Sequence, residues 1–249
     1  MIPFLRKIRK NLLVSGNTGK YITYAIGEIF LVVIGILIAL QINNWNEGRK
    51  DKSRLQTNIK SISEDIQADI IQFEIKVNAL HQQAVSASNI VPVMESQNQL
   101  IQDSLQFILD FNTLTTTPIV TKRNNTWDFL NSSGAISEFP DPNLLKILRN
   151  YYSEYDALAS NFTNAANPVR LELRKLKYEL FQDNEHRKFF PTATPKVPNI
   201  EVYRAIFKDK RILPLCRYIG STASYFEESF ERQQIKGQEI VDYLDKNIK

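Results

Sequence analysis

The feature that most constrains this chain is an apolar segment near its N-terminus. Residues 29–40 read IFLVVIGILIAL, and residues 22–42 extend the run to 21 positions interrupted by Thr23, Glu28 and Gln41. A helix of that length crosses a hydrocarbon core of about 30 Å. The alternative is a buried helix of a soluble protein. Apolar runs in such helices are ordinarily about ten to fourteen residues long, which is shorter than this segment. We therefore predict a transmembrane helix over residues 22–45.

Aromatic residues flank this segment, as interfacial anchors do. Tyr21 and Tyr24 lie at one end and Trp45 at the other, and we predict that all three lie at the bilayer interface. A cleaved signal peptide is the second alternative to a transmembrane helix. The segment is longer than the apolar region of a signal peptide, and the following INNWNEGRK contains no small-x-small cleavage site. We expect the helix to stay attached, so the lipid bilayer is the first predicted partner.

Charge separates the N-terminal end from the rest. Residues 1–42 hold five Lys or Arg and one acid, whereas residues 43–249 hold 26 of each. A neutral C-terminal part lacks the basic face that phosphate neutralisation requires, so we predict no nucleic-acid partner. The single cysteine excludes an internal disulfide framework.

Membrane orientation depends on the N-terminal tail. Lys and Arg are nearly balanced across the helix, with five before it and four soon after it at Arg49, Lys50, Lys52 and Arg54. Residues 1–21 contain no acid, and FLRKIRKNLL places apolar and basic side chains on opposite faces, as suits an anionic cytoplasmic leaflet. We predict a cytoplasmic tail over residues 1–21 and a periplasmic domain.

The remaining chain is expected to be all-α. Gly and Pro number only 8 and 10, too few for the turns of a many-stranded protein. From Leu55 to Ala84, apolar residues recur at steps of three and four with one stutter near Ile66, which predicts a coiled-coil seam. The transmembrane helix is expected to continue through this stalk until Pro92.

Later helices complete the prediction. A short helix is expected around Leu100 to Leu109, and a long one after the cap Asp141 to Leu180, kinked or split by Pro168. Asn199 should cap a short helix, and a last helix should run from about Leu213 to Ile248. We predict an elongated antiparallel helical bundle over residues 46–249.

No motif indicates catalysis. The sequence contains no Gly-rich phosphate loop, no G-x-S-x-G and no H-E-x-x-H. His81 and His186 lie on different predicted elements and are interpreted as surface residues, and Cys216 as a buried structural thiol. We predict no enzyme activity, no catalytic or metal-binding residue and no cofactor.

Two aromatic groups allow two interpretations each. Asn125 to Gly134, NTWDFLNSSG, is typical of a short packing helix with a C-terminal glycine, and a ligand pocket around Trp127 is the alternative. Tyr151, Tyr152 and Tyr155 are interpreted as the core and rim of a long helix rather than a binding stripe.

Three residues of the apolar segment form a hypothetical membrane-helix contact. Glu28 is costly in a bilayer unless it reaches the interface, is protonated or meets a partner. Gly35 and Ala39 form a small-xxx-small pair that permits close helix approach. Glu28 lies about two turns before Gly35, so the three share a face. We predict contact with another membrane protein or a second copy of this chain.

The segment YAIGEIFLVVIGILIALQINNWNE, with FLRKIRKNLL before it and TWDFLNSSG and LRNYY after it, resembles a family of uncharacterised membrane-anchored proteins from flavobacteria and related Bacteroidota. The resemblance implies a Gram-negative inner membrane and no known activity. Two hypotheses follow: a non-enzymatic sensor or scaffold of the cell envelope, and a membrane-tethered enzyme with a carboxylate site inside the bundle.

Overall fold

The computed structural model describes residues 18–139, 141–181, 185, 187–188 and 194–247. The chain divides into two compact units, unit 1 over residues 1–57 and unit 2 over residues 58–249. The regular elements of the described residues are helices, without a β-strand, which confirms the predicted all-α class.

Seven α-helices follow one another in these ranges. They are α1 (Thr18–Glu95), α2 (Ser104–Leu114), α3 (Asn125–Ser133), α4 (Pro142–Asn161), α5 (Asn167–Leu180), α6 (Ile200–Lys208) and α7 (Ile212–Asn247). A 3-10 turn, Ala135–Glu138, follows α3, and a π-helical turn, Phe162–Ala166, joins α4 to α5.

Helix α1 carries both the predicted apolar segment and the predicted stalk in 78 residues. The expectation that Pro92 ends this helix is wrong, because Pro92 lies inside it and the helix runs on to Glu95. Proline removes its own N–H but fixes φ at a helical value, so the turn after it can continue. The N–H of Ser96 accordingly donates to the carbonyl of Pro92 at 3.1 Å.

Local signals fixed most of the other helix ends. Asp141 caps α4 by accepting from the N–H of Asn143 at 2.8 Å, and Asn199 caps α6. Pro168 splits the long helix as predicted, with the π-helical turn before it. The second helix begins later than expected: Asp103 caps α2 before Ser104, which leaves Leu100 in a loop with 71% of its surface exposed.

The core of unit 2 forms where α7 packs antiparallel to α1. Gly220, in the N-terminal third of α7, lies against Ala87. Gly237, in the C-terminal third, lies against Ile66, which comes earlier in α1 than Ala87. The apolar seam of α1 is buried here at Ile59, Ile62, Ile66, Phe73 and Leu80. The seam therefore packs against later helices of the same chain.

Helices α4 and α5 run in the same direction as α1. Phe73 of α1 contacts Tyr155 of α4, with ring centroids 4.7 Å apart. Further along both helices, Gln83 of α1 bonds Arg170 of α5. Helices α2 and α3 lie in the connection between α1 and α4, so this connection returns the chain to the starting end of the bundle.

Candidate functional site

The apolar segment of unit 1 is exposed along its length. Every side chain from Ile29 to Leu40 is exposed, and none of the most apolar window is buried. By length and composition, α1 is the one helix among the described residues that could cross a membrane. The predicted span thus lies on an unburied helix.

The residues predicted to anchor this segment or to contact another helix differ in exposure. A Cβ at Gly35 would meet no atom within 4 Å, and Ala39 is exposed, so this side of α1 is open within the chain. Tyr24 and Glu28 are partly buried. Trp45 is exposed, with the Arg49 guanidinium 5.8 Å from its ring centroid. Their roles at a bilayer stay predictions, and the side chain of Tyr21 lies outside the described part of the chain.

No chemistry is expected of His81, His186 and Cys216. His81 is exposed and its Nδ1 lies 2.8 Å from a carboxylate oxygen of Glu227. Cys216 is fully buried, and burial raises the pKa of its thiol to about 12, as befits an inert core thiol. His186 lies outside the described residues. In the described ranges, no three His, Cys, Asp or Glu side chains are grouped to hold a metal ion.

A polar joint inside unit 2 was not anticipated. Asp69 of α1 is fully buried, and its Oδ1 accepts a hydrogen bond from the backbone N–H of Arg123 at 3.0 Å. One turn earlier, Asp65 accepts from the N–H of Thr126 at 3.3 Å, in the first turn of α3. A carboxylate is favoured at a helix N-terminus. The two aspartates therefore attach α3 and the loop before it to α1.

Burial sets the protonation chemistry of this joint. It raises the pKa of Asp69 to about 6, opposed by the hydrogen bond from Arg123 and assisted by the negative charge of Asp65. Lys76 is also buried, and burial lowers its pKa while the charge of Asp69 raises it. Asp69 can thus exchange a proton near neutral pH.

Three tyrosines cover the joint from α4. Tyr151, Tyr152 and Tyr155 are almost completely buried, and burial raises the pKa of each hydroxyl well above its ordinary range. The Tyr155 hydroxyl donates to the carbonyl of Thr121 at 2.8 Å. Their burial confirms the interpretation as core residues. Trp127 is buried as well, at 8% exposure, so the packing interpretation of α3 is also confirmed.

A second buried network centres on Arg170 of α5, which has no exposed surface. Its Nε donates to Oε1 of Gln83 at 2.9 Å, and its Nη1 donates to the Ala166 carbonyl at 3.0 Å and reaches Thr222 Oγ1 at 3.4 Å. The side-chain amide of Gln83 in turn donates to the carbonyls of Thr113 and Thr116, so the network extends to the end of α2. One guanidinium thus joins α1, α5 and α7.

The same face of α5 bonds the last turn of α2 and the residue that follows it. Arg174 donates to the Thr115 carbonyl at 2.8 Å, and Lys177 donates to Asn112. Burial, assisted by the nearby charge of Arg174, lowers the pKa of Lys177 to about 8. Each of these cations bonds neutral oxygens, so their hydrogen bonds hold helices together.

Asp69 and Arg170 carried one signal that sequence reasoning did not use. Asp69 falls between Ile66 and Phe73 on the buried face of α1, and Arg170 falls three residues before Leu173 on the buried face of α5. A charged residue at an inward helical position implies a specific partner. A helical period defined by apolar residues alone does not include these two charges.

Comparison with curated proteins finds no match, and comparison with solved structures finds none either. Comparison with family models matches residues 28–202 to a family of unknown function, DUF6090. The match includes the apolar segment from Glu28 onward, the polar joint and the three tyrosines. It covers well over half of the chain, which therefore belongs to the DUF6090 family.

Proposed function

We propose that this protein is a non-enzymatic, membrane-anchored module of the cell envelope, acting as a helical sensor or scaffold for a membrane partner. The observation that carries the proposal is the exposed apolar segment of unit 1, whereas unit 2 has a buried core of its own. A long apolar helix that is not buried by protein is stable in the hydrocarbon core of a bilayer.

The magnitude of the exposed apolar surface supports this choice. Ten large apolar side chains between Ile29 and Leu40 are 42–67% exposed. Burying one such side chain completely contributes about 1.5–3 kcal/mol, and roughly half of each of the ten is exposed, so leaving them in water forfeits on the order of 8–17 kcal/mol. That loss matches or exceeds the net stability of a typical domain, about 5–15 kcal/mol. In a bilayer the lipid chains cover these side chains, so the free energy is recovered without a further protein contact.

The proposed location is a Gram-negative inner membrane, crossed once, with a cytoplasmic N-terminus and a periplasmic unit 2. The acid-free, basic tail of residues 1–21 supports this orientation, because cations are retained on the cytoplasmic side. The resemblance to uncharacterised membrane-anchored proteins of flavobacteria and related Bacteroidota, which implies a Gram-negative inner membrane, supports the compartment. The proposed partner is another membrane protein or a second copy of the chain.

A non-catalytic role is supported by what the buried charges bond. Asp65 and Asp69 accept from backbone N–H groups, and Arg170, Arg174 and Lys177 donate to carbonyl, amide and hydroxyl oxygens. Groups fixed in this way join helices rather than face a substrate. A module whose parts are tied by such bonds suits a scaffold that holds partners at fixed positions.

The alternative is a membrane-tethered enzyme with a carboxylate site inside the bundle. One observation favours it: Asp69 has a pKa near 6 and lies among Tyr151, Tyr152 and Tyr155. Asp69→Asn separates the two proposals, because the amide still accepts from Arg123 but cannot exchange a proton. A scaffold retains its cellular role in this variant and in the triple variant His81→Ala, His186→Ala and Cys216→Ala. Loss of the role at normal abundance favours the enzyme.

Anchoring and orientation are tested together. The full chain should remain in the membrane pellet after carbonate extraction, and a C-terminal alkaline phosphatase fusion should be active while a C-terminal fluorescent protein stays dark. A variant lacking residues 1–42 should be extracted as a soluble protein. Carbonate-soluble full-length protein would overturn the anchor, and a fluorescent, phosphatase-inactive chain would reverse the orientation.

The scaffold role requires a partner. Photo-crosslinkable residues at exposed positions of the anchor that flank Gly35, for example Leu31 and Ile42, should give a discrete crosslinked product in native membranes. Mass spectrometry then identifies it as a second copy or another membrane protein. Crosslinking to lipid alone at every anchor position would contradict the proposed partner.

A further inference from the structure

Unit 2 contains an open cavity of about 570 Å³ between α6 and the loop that follows α1. Small-molecule sites occupy about 300–1,000 Å³, so the cavity is large enough for one small ligand. It is lined by Asn98, Gln99, Leu100, Ile101, Ser104, Ile200, Tyr203, Arg204, Phe207 and Lys208. The sequence interpretation gave none of these residues a function.

One part of the lining is apolar and well supported. The Phe207 ring stacks on Phe107 with centroids 5.5 Å apart, and Phe107 belongs to the buried core. The Tyr203 hydroxyl donates to the Ser104 carbonyl at 2.7 Å, which fixes the tyrosine in place. Leu100 and Ile200 also line the cavity although 71% and 58% of their surfaces are exposed. An apolar ligand would cover both.

The charged part of the lining is purely basic. Arg204 and Lys208 lie one turn apart on α6, and no carboxylate is among the lining residues. Arg204 pairs with Glu201 on the same helix, whereas Lys208 forms no ion pair with any residue that the structure describes. An anion placed at this end would meet the ammonium of Lys208 directly, and the Arg204 guanidinium with its charge partly offset by Glu201.

The loop that forms the opposite wall is strained. Gln99 has φ of 44°, the one positive φ of a non-glycine residue in the described ranges. Its N–H donates to Ser96 Oγ at 3.0 Å, which holds the conformation. Such a conformation costs free energy and is concentrated at ligand-binding and switch regions. Gln99 places the loop so that Leu100 and Ile101 form part of the cavity.

We propose that this cavity binds a small amphipathic carboxylate, a short acyl chain whose apolar tail contacts Leu100, Ile200 and Phe207 and whose carboxylate meets Lys208 and Arg204. Charge complementarity selects the anion, and the apolar lining selects the tail. A neighbouring cavity of about 300 Å³ shares Leu100 and Ile101 but contains Asp103 and Asp110, so it disfavours an anion. The inference concerns unit 2 and does not depend on membrane anchoring.

The test uses the full chain in nanodiscs of a neutral phospholipid, titrated with octanoate and followed by saturation-transfer NMR, with empty nanodiscs subtracted. Octanoate should bind saturably, and octyltrimethylammonium, which has the same tail and the opposite charge, at least tenfold more weakly. Lys208→Glu should weaken octanoate binding at least tenfold. The matched control Lys210→Glu, an exposed lysine outside the lining, should change it less than twofold.

A second variant tests the tail. Leu100→Ser alters an exposed side chain, so the fold should persist by circular dichroism, and octanoate should bind about three- to tenfold more weakly. The proposal is overturned by any of three results: no saturable binding above empty nanodiscs, equal binding of the cationic probe, or unchanged binding in the folded Lys208→Glu variant.

Discussion

The indole of Trp127 stacks on the phenol ring of Tyr152, with centroids 4.9 Å apart and planes 18° from parallel. Trp127 lies on α3 in the segment TWDFLNSSG, and Tyr152 lies on α4 in the segment LRNYY. Tyr151 adds an edge contact to Tyr152 at 5.2 Å. The two segments that carry the family resemblance beyond the anchor therefore meet in the core of unit 2.

Trp127→Ala should destabilise unit 2 by about 3–5 kcal/mol, because it removes a buried ring and leaves a cavity against Tyr152. Chemical denaturation followed by circular dichroism measures the loss. Phe129→Ala is the matched control, since Phe129 lies on the same helix with 60% of its surface exposed. Equal effects of the two substitutions would mean that the stack does not hold α3.

Asp69 should make stability depend on pH in an unusual direction. Its pKa is about 6 in the folded protein against an ordinary value of 3.8, so the folded state binds the proton more tightly. The contribution of Asp69 to the free energy of unfolding is therefore largest below pH 4. It falls by about 3 kcal/mol as the pH rises through 6.

Asp69→Asn removes this dependence while keeping an acceptor for the N–H of Arg123. The stability of the variant relative to wild type should rise by about 2–2.5 kcal/mol between pH 4 and pH 7, measured by urea denaturation at each pH. Asp245→Asn, at an exposed carboxylate of the same unit, should give no such trend. A constant difference between Asp69→Asn and wild type would show that Asp69 does not carry the proton.

How far the sequence determines this structure depends on the distance between interacting residues. The caps at Asp141 and Asn199 and the break at Pro168 depend on neighbours within one or two turns, so their positions could be predicted. Asp69 bonds a residue 54 positions away, and Arg170 bonds one 87 positions away. No periodicity within a helix specifies such partners. The polar joint and the Arg170 network therefore became visible only in the fold.

The hydrogen bond between Gln83 and Arg170 should appear as coupling in a double-mutant cycle. Gln83→Leu and Arg170→Met each leave buried polar atoms unpaired, whereas the double variant removes both ends of the bond. The two effects should be non-additive by about 1–3 kcal/mol in unfolding experiments. Lys175→Met, on the exposed side of α5, should combine additively with Gln83→Leu. Additivity in the Arg170 cycle would argue against the bond.

Gly220 allows α7 to approach α1 closely. A Cβ at this position would lie 2.5 Å from the Cβ of Ala87, which is far inside contact distance. Gly220→Ala should therefore destabilise the protein by about 1–2 kcal/mol despite the better helix propensity of alanine. The loss should shrink or reverse in an Ala87→Gly background. Gly48→Ala, with no atom within 4 Å of its added Cβ, should not lower the thermal midpoint.

The last prediction concerns the anchor, which should associate with another transmembrane helix. Apolar helices gain little from one another in lipid, so association needs close backbone approach or a polar contact. Gly35 and Ala39 offer the first and Glu28 offers the second, and their spacings of seven and four residues place them on one face. The seam of α1 in unit 2 packs against the chain's own helices, which leaves the anchor face as the proposed contact.

A transmembrane-helix association assay on residues 18–50, together with crosslinking of the full chain, tests this contact. Glu28→Ala should reduce association by removing the polar contact, and Gly35→Ile should reduce it by preventing close approach. Ile36→Leu, a volume-conserving change one position away, should leave it unchanged. If the wild-type helix does not self-associate, crosslinking near Gly35 should capture a different membrane protein. Absence of both products in native membranes would reduce Glu28 to an interfacial carboxylate and contradict the prediction.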